Sequence, residues 1–293
     1  MDQENKNWYD KYYKHLFLIP LILLIISLFY LGSFYKENGD FIHKDVSLSG
    51  GTSITIQGEI NQADLEPLLK EKFPDVSFAK LGGVTSGNQI ALIVESSAPS
   101  GDLKLEIEKI LGYELTSENS TIEFTGSSLS QDFYKQLVKA LIISFILMSI
   151  VIFLLFRTFV PSLAVIFAAF TDIVMSLAII NYMGIKLSAA GIAAFLMLIG
   201  YSVDTDILLT SRALKSKEGS INSRIHGAFK TGILMTLTAL AAVLPAFFLV
   251  TGLPDSFRQI FLILSIGLVV DILSTWLTNA SIIKWYCERK ERK

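Results

Sequence analysis

The sequence is poor in the side chains that make covalent links or hold metals. Cysteine occurs once in 293 residues, as Cys287, and histidine three times, as His15, His43 and His226. One cysteine excludes an internal disulfide, and no cysteine–histidine cluster offers the ligand spacing of a zinc site. Surface or interfacial positions are expected for the three histidines. Charge is also sparse, at 18% of residues with a net charge of −2. Nucleic-acid binding needs a basic patch on a folded domain, and the one long polar segment here is acidic. No catalytic residue, cofactor or metal is therefore expected. What is plentiful is apolar surface: 52% of residues are hydrophobic and the mean hydropathy is +0.52. That is too apolar for an ordinary soluble protein and too regularly segmented for one large core.

Six stretches reach the roughly 20 apolar residues that a membrane-crossing helix needs. They are 15–31, 136–156, 160–182, 187–209, 228–251 and 259–283. The first does not read as a cleavable signal, because a polar lead, 1–14, precedes it and no small-x-small site follows. Pro20 and Pro245 fall inside spans, where neighbouring helices can satisfy the freed carbonyls. Lysine and arginine placement orients the chain. If the spans alternate, Lys6, Lys11, Lys14 and Arg157 fall on one side. So do Arg212, Lys215, Lys217, Arg224 and Lys230, and the tail 284–293 with Lys284, Arg289, Lys290, Arg292 and Lys293. The short loops opposite hold only Lys186 and Arg258. Both termini are expected in the cytoplasm, and the long segment 33–135 outside a cell membrane.

That outer segment carries 16 acids against 8 lysines and is long enough for one small domain. Apolar residues alternate in four places: Ile54 and Ile56, Val76 and Phe78, Ile90 with Leu92 and Val94, and Ile122 with Phe124. A period of two is the mark of half-buried strands. Leu65, Leu68, Leu69 and Phe73 form a helical stripe between the first two, and Leu103, Ile107, Ile110 and Leu111 another between the last two. Gly82-Gly83 and Ser86-Gly87-Asn88 mark the turn between the second and third strands. The order β-α-β-β-α-β predicts a ferredoxin-like α+β domain. It contains no histidine after His43 and no nucleophile–base arrangement, so it reads as a binding or gripping module.

Four acids lie within the apolar spans: Asp172, Asp204, Asp206 and Asp271. An ionised carboxylate in hydrocarbon costs about 2.5–3.5 kcal/mol on insertion scales. Such residues imply a protein-lined or watered interior, or protonated carboxyls, and mark ion or proton pathways. Asp204 and Asp206 lie about 200° apart on a helix. Asp204 shares its face with Ala193, Met197, Gly200, Tyr201 and Leu208, where Ala193 and Gly200 permit close helix approach. Asp206 shares its face with Ser202 and Thr210.

One span, an outer α+β domain and five more spans resemble half of a resistance-nodulation-division (RND) transporter. Ser49-Gly50-Gly51-Thr52 resembles the Gly-Gly-Thr motif of the SecD/SecF protein-export membrane proteins. Gly126-Ser127-Ser128-Leu129 is similar to their Gly-Pro-Ser-Leu element, with Ser127 in place of proline. Gly200-Tyr201-Ser202-Val203-Asp204-Thr205-Asp206, followed by Arg212, looks like the fourth SecF span. The resemblance covers essentially the whole chain and points to the archaeal SecF branch. It implies a SecD partner, each supplying half of the membrane domain. It also implies assistance of export through a SecY-type channel, acting on an unfolded secretory polypeptide and, in bacteria, using proton flow.

The chain departs from the family at two places. Bacterial SecF proteins usually have Asn-Asp where this chain has Asp204-Thr205, while Asp204 matches the Val-Asp-Ala-Asn motif of SecD. An arginine common at the entry to span 5 is replaced by Lys230, before Thr231. Asp204 is expected as the leading proton carrier, ahead of Asp206. Asp172 and Lys230 are expected as relay members. Asp271 and Arg212 are weaker candidates. Two other functions compete. An RND-type small-molecule or lipid exporter usually carries both halves and larger outer domains in one chain. An intramembrane aspartyl protease needs Tyr-Asp and Gly-x-Gly-Asp, whereas Thr171-Asp172 and Ser202-Val203-Asp204 stand here.

Overall fold

The computed structural model describes residues 8–82, 89–215, 219–249 and 255–291. The first apolar stretch forms α1 (Trp8–Leu16) and α2 (Leu18–Asn38). They part at Phe17 because Pro20 has no amide for the Leu16 carbonyl, and its ring crowds that oxygen. A short α3 (Val46–Ser49) leads into β1 (Gly51–Gln57), α4 (Gln62–Lys72), β2 (Ser77–Gly82), β3 (Gln89–Ser96), α5 (Ser100–Leu111) and β4 (Ser120–Thr125). Then come α6 (Ser127–Phe156), α7 (Phe159–Tyr182), α8 (Ala189–Lys215), α9 (Ile221–Leu249) and α10 (Asp255–Leu273). A π-helical turn (Ser274–Asn279) joins α10 to α11 (Ala280–Glu291) in one rod. Among the described residues, six helices are thus long and apolar enough to cross a membrane.

The outer strands pair antiparallel in the order β2-β3-β1-β4, the ferredoxin-like arrangement. Ile54, Ile56, Leu92 and Val94 of the sheet meet Leu65 and Leu69 of α4 and Leu103 and Ile107 of α5, all fully buried. Three expected core positions differ. Leu68 is half exposed, on the flank of α4 away from the sheet. Ile122 and Phe124 stand opposite Ile54 and Thr52, yet both are exposed, because β4 is an edge strand where helix cover ends. The glycine turn expected between β2 and β3 lies, from Gly83 to Asn88, outside the described residues.

The two family-like motifs meet where the outer domain joins the membrane helices. Gly50 and Gly51 have φ of +85° and +127°, a region that side chains resist. A Cβ on Gly50 would collide with the backbone of Ser127, and one on Gly51 with the Ser96 carbonyl. Thr52 Oγ1 donates to the Ala98 carbonyl at 2.6 Å. Ser127 is the first residue of α6, a position where proline is favoured, so serine there keeps the local geometry.

A second seam ties the outer domain down. Leu187 N donates to His43 O at 2.6 Å and Asp45 N to Leu187 O at 3.1 Å. Asp45 caps α3 by accepting from Ser47 N at 2.9 Å and Ser47 Oγ at 2.5 Å. Ala189 N donates to the same Ser47 hydroxyl at 3.0 Å. Lys186 pairs with Glu95 at 2.7 Å. Among the membrane helices, α7, α8 and the sixth span are mostly buried, while α2, α6 and α9 expose most of their surface. The sixth span packs tightly on α8, since Leu198 occupies the space a Gly267 side chain would need.

Candidate functional site

Three acids converge from the three inner spans. Asp172 comes from α7, Asp206 from α8 and Asp271 from α10, and none is more than 1% exposed. Each lies within an apolar helix that neighbouring helices cover, out of contact with bulk solvent. Their partners are hydroxyls and one amide. Asp172 accepts from Ser202 Oγ on α8 and from Ser274 Oγ in the π turn. Thr275 Oγ1, also in the π turn, donates to Asp271 Oδ1 at 3.0 Å. Thr205 Oγ1 donates to the Ser202 carbonyl at 2.8 Å and lies 3.3 Å from both Asp271 oxygens. Asn279 Nδ2 donates to Asp206 Oδ1 at 2.7 Å.

No ion pair among the described residues involves any of the three acids. Nor, among those residues, do three acidic, histidine or cysteine side chains converge as a metal site requires. The arrangement is a cluster of carboxyls, two held by hydroxyls and Asp206 by an amide, across α7, α8 and the sixth span. Such a cluster can take up, hold and pass protons.

The expected relay residues divide. Asp172, Asp206 and Asp271 come together, although Asp271 ranked low in the sequence. Asp204 does not join them: it is exposed on the opposite face of α8, as a separation of about 200° requires. Lys230 is exposed on α9 and stays outside the cluster. Arg212 braces the C-terminal end of α8 instead, donating to Gly227 O at 2.6 Å and Thr231 Oγ1 at 2.9 Å. Of the fourth-span motif, Ser202 serves the cluster, whereas Gly200 and Tyr201 share the exposed face of Asp204. Ser274, Thr275 and Asn279 were missed in the sequence. Their signal was a polar stripe, Asp271, Ser274, Thr275, Thr278 and Asn279, at helical spacing within an apolar span.

A family model described as "Protein export membrane protein SecD/SecF, C-terminal" matches residues 107–289, which include every candidate relay residue. The chain belongs to the SecD/SecF family of protein-export membrane proteins. Within that family it is of the SecF type and a multi-pass membrane protein. It is 38% identical to the protein-export membrane protein SecF of Methanothermobacter thermautotrophicus, over 95% of this chain and 94% of that one. It is 37% identical to the SecF of Methanocaldococcus jannaschii, over 94% of this chain and 96% of that one. The crystal structure of a Thermus SecDF, a translocon-associated membrane protein, superposes with a TM-score of 0.76 at 18% identity. It matches 97% of this chain, which spans 39% of that SecDF chain. At this identity the likeness is one of fold.

Proposed function

We propose that this SecF-type chain works with SecD as one half of a membrane complex that assists export through a SecY-type channel. In this reading proton movement through Asp172, Asp206 and Asp271 drives changes that pull on an unfolded secretory polypeptide. Residues 33–135 lie outside the membrane, while both the lead 1–14 and the tail 284–293 are cytoplasmic. Residues 15–32 and the helices within 136–283 span the bilayer.

The observation that carries proton coupling is three fully buried carboxyls with no cationic partner among the described residues. Three charges so placed would repel one another without water to screen them, so protons must neutralise them in turn. Thr205 Oγ1 has one hydrogen for the Ser202 carbonyl and both Asp271 oxygens, so a proton on Asp271 would supply the second hydrogen of that group.

The exposed face of α8 supports the SecD partnership. Asp204 there cannot face lipid at low cost. Gly200 beside it leaves room for a second helix. Asp204 and Lys230 then act at the face shared with SecD rather than inside this subunit. Export of a reporter in cells tests the reading, with SecD co-purification measured in parallel. Asp172→Asn, Asp206→Asn and Asp271→Asn each keep shape but cannot carry a proton, and each is expected to lower export at least tenfold with SecD binding intact. Normal export in all three would leave the subunit a passive scaffold.

A further inference from the structure

We infer that Asn279 is a positioning residue of the acid cluster, whose side-chain amide and a protonated Asp206 carboxyl close a ring of two hydrogen bonds. This rests on the proton-coupling reading above. One bond of the ring is Asn279 Nδ2 to Asp206 Oδ1, at 2.7 Å. The two remaining oxygens, Asp206 Oδ2 and Asn279 Oδ1, are buried and have no partner among the described residues. Neither residue has any exposed surface. Two acceptors cannot bond each other unless one carries a hydrogen. Of the pair, only the carboxyl can gain one. A proton on Asp206 Oδ2 donates to Asn279 Oδ1 and satisfies both atoms at once. Turning the amide over does not remove the need, because it sets the amide oxygen against the other carboxylate oxygen and leaves the same deficit of one hydrogen.

The π turn explains how one span reaches three acids. On an α-helix Ser274 and Asn279 lie about 140° apart, at the two edges of one polar stripe. Here Ala280 N bonds Thr275 O, a five-residue step. The wider turn narrows the arc over which Ser274, Thr275 and Asn279 are spread, and each meets a different acid. Such turns recur at functional sites. When Asp206 gives up its proton the ring loses one bond and places a charge against the amide oxygen. Asn279 is thereby released from that oxygen, and the π turn with it. The acids facing Asp206 are Asp172 from α7 and Asp271 from α10. The nearby cations are engaged elsewhere or face outward: Arg212 bonds Gly227 and Thr231, and Lys230 is exposed.

The test is an exchange. Asp206→Asn alone removes the proton carrier, and Asn279→Asp alone sets a second acid against the first. Each is expected to cut reporter export at least tenfold. Asp206→Asn combined with Asn279→Asp rebuilds one acid–amide ring and is expected to restore export to within threefold of the parent. Infrared spectra of the full chain, purified with SecD in lipid vesicles, give a readout that folding alone does not move. The parent is expected to show protonated carboxylic C=O absorption of which one component is lost in Asp206→Asn and changes frequency in Asn279→Ala, while any component of Asp172 or Asp271 stays. An exchange variant that binds SecD normally but does not recover, with the band unmoved by Asn279→Ala, overturns the ring while leaving proton coupling in place. A band that falls as sodium rises at fixed pH also overturns it, because a metal cation would then fill the gap. Undiminished export in Asp206→Asn overturns the ring, and the same result in Asp172→Asn and Asp271→Asn as well overturns the proton-coupling reading itself.

Discussion

Asp45 sits where the outer domain is fastened to the membrane helices, and its ionisation is felt there. Burial pushes its carboxyl up to about 6; bonds from Ser47 oppose the rise and the nearby Glu95 adds to it. A carboxyl raised in the fastened state holds its proton more tightly there than when the seam opens. The sign follows: this stabilisation is complete below the ordinary carboxylate value near 4 and is lost as pH rises through about 6. A shift of about two pH units corresponds to roughly a 100-fold change in the opening equilibrium. Hydrogen exchange at the Leu187 and Ala189 amides reads that opening, after correction for the intrinsic pH effect. Their protection is expected to fall by up to about 100-fold between pH 4 and pH 7. In Asp45→Asn the slope is expected to flatten while the α3 cap survives, since asparagine caps as well as aspartate. An unchanged slope would assign the effect to other groups.

The same scale shows what a motif leaves open. Asp204 looked strongest because it stands in a recognisable motif, and motif position says nothing about which way a helix is rotated in its bundle. Asp206, two residues on, faces the interior because α7 and the sixth span cover that side of α8. Asp271 has no motif, and the polar stripe below it, which the sequence reading missed, lines the cluster's third wall.

At the scale of elements, alternation placed all four strands, because a sheet with one covered face imposes a period of two, and stripes at helical spacing placed both outer helices. It did not reveal which strand lies at an edge, so Ile122 and Phe124 read as core. The π turn was equally hidden: its polar residues also fit an α-helical stripe, and only the packing against α7 and α8 selects the wider step. The joint between Gly50 and Ser127 makes an element-scale prediction. Gly50→Ala adds a Cβ at positive φ into the Ser127 backbone. It is expected to destabilise the joint by about 3 kcal/mol or more, read as a lower thermal midpoint of the SecD complex. Ser127→Pro is the control. Gly126 already has φ −66° and ψ 137°, the extended geometry that a residue before proline prefers. That substitution is expected to be neutral or to stabilise by up to about 1 kcal/mol. If Gly50→Ala is as well tolerated, the close approach of the two motifs does not hold the joint together.

At the scale of the whole molecule, the unanswered surface is the outward face of α8. Met197 and Tyr201 are 47% and 46% exposed, and Gly200 and Asp204 are exposed between and beside them. A lipid-facing helix has no reason to carry a carboxylate and a glycine side by side. A helix packed against a second subunit has reason for both: the glycine lets the backbones approach, and the acid finds a partner across the contact. Gly200→Leu separates these cases. Among the described residues nothing beyond its own helix lies within 4 Å of a Cβ placed there, and Gly200 is exposed, so the isolated subunit has room for it. Leucine also favours a helix over glycine by roughly 0.5–1 kcal/mol, so the subunit alone is expected to be as stable as its parent. In the complex the same side chain occupies the space SecD needs. Co-purification with SecD is expected to fall at least tenfold, and export with it. Gly200→Ala, one methyl group, is expected to cost far less. Full recovery of SecD with Gly200→Leu would move the interface to another helix and leave Asp204 without the partner assigned to it here.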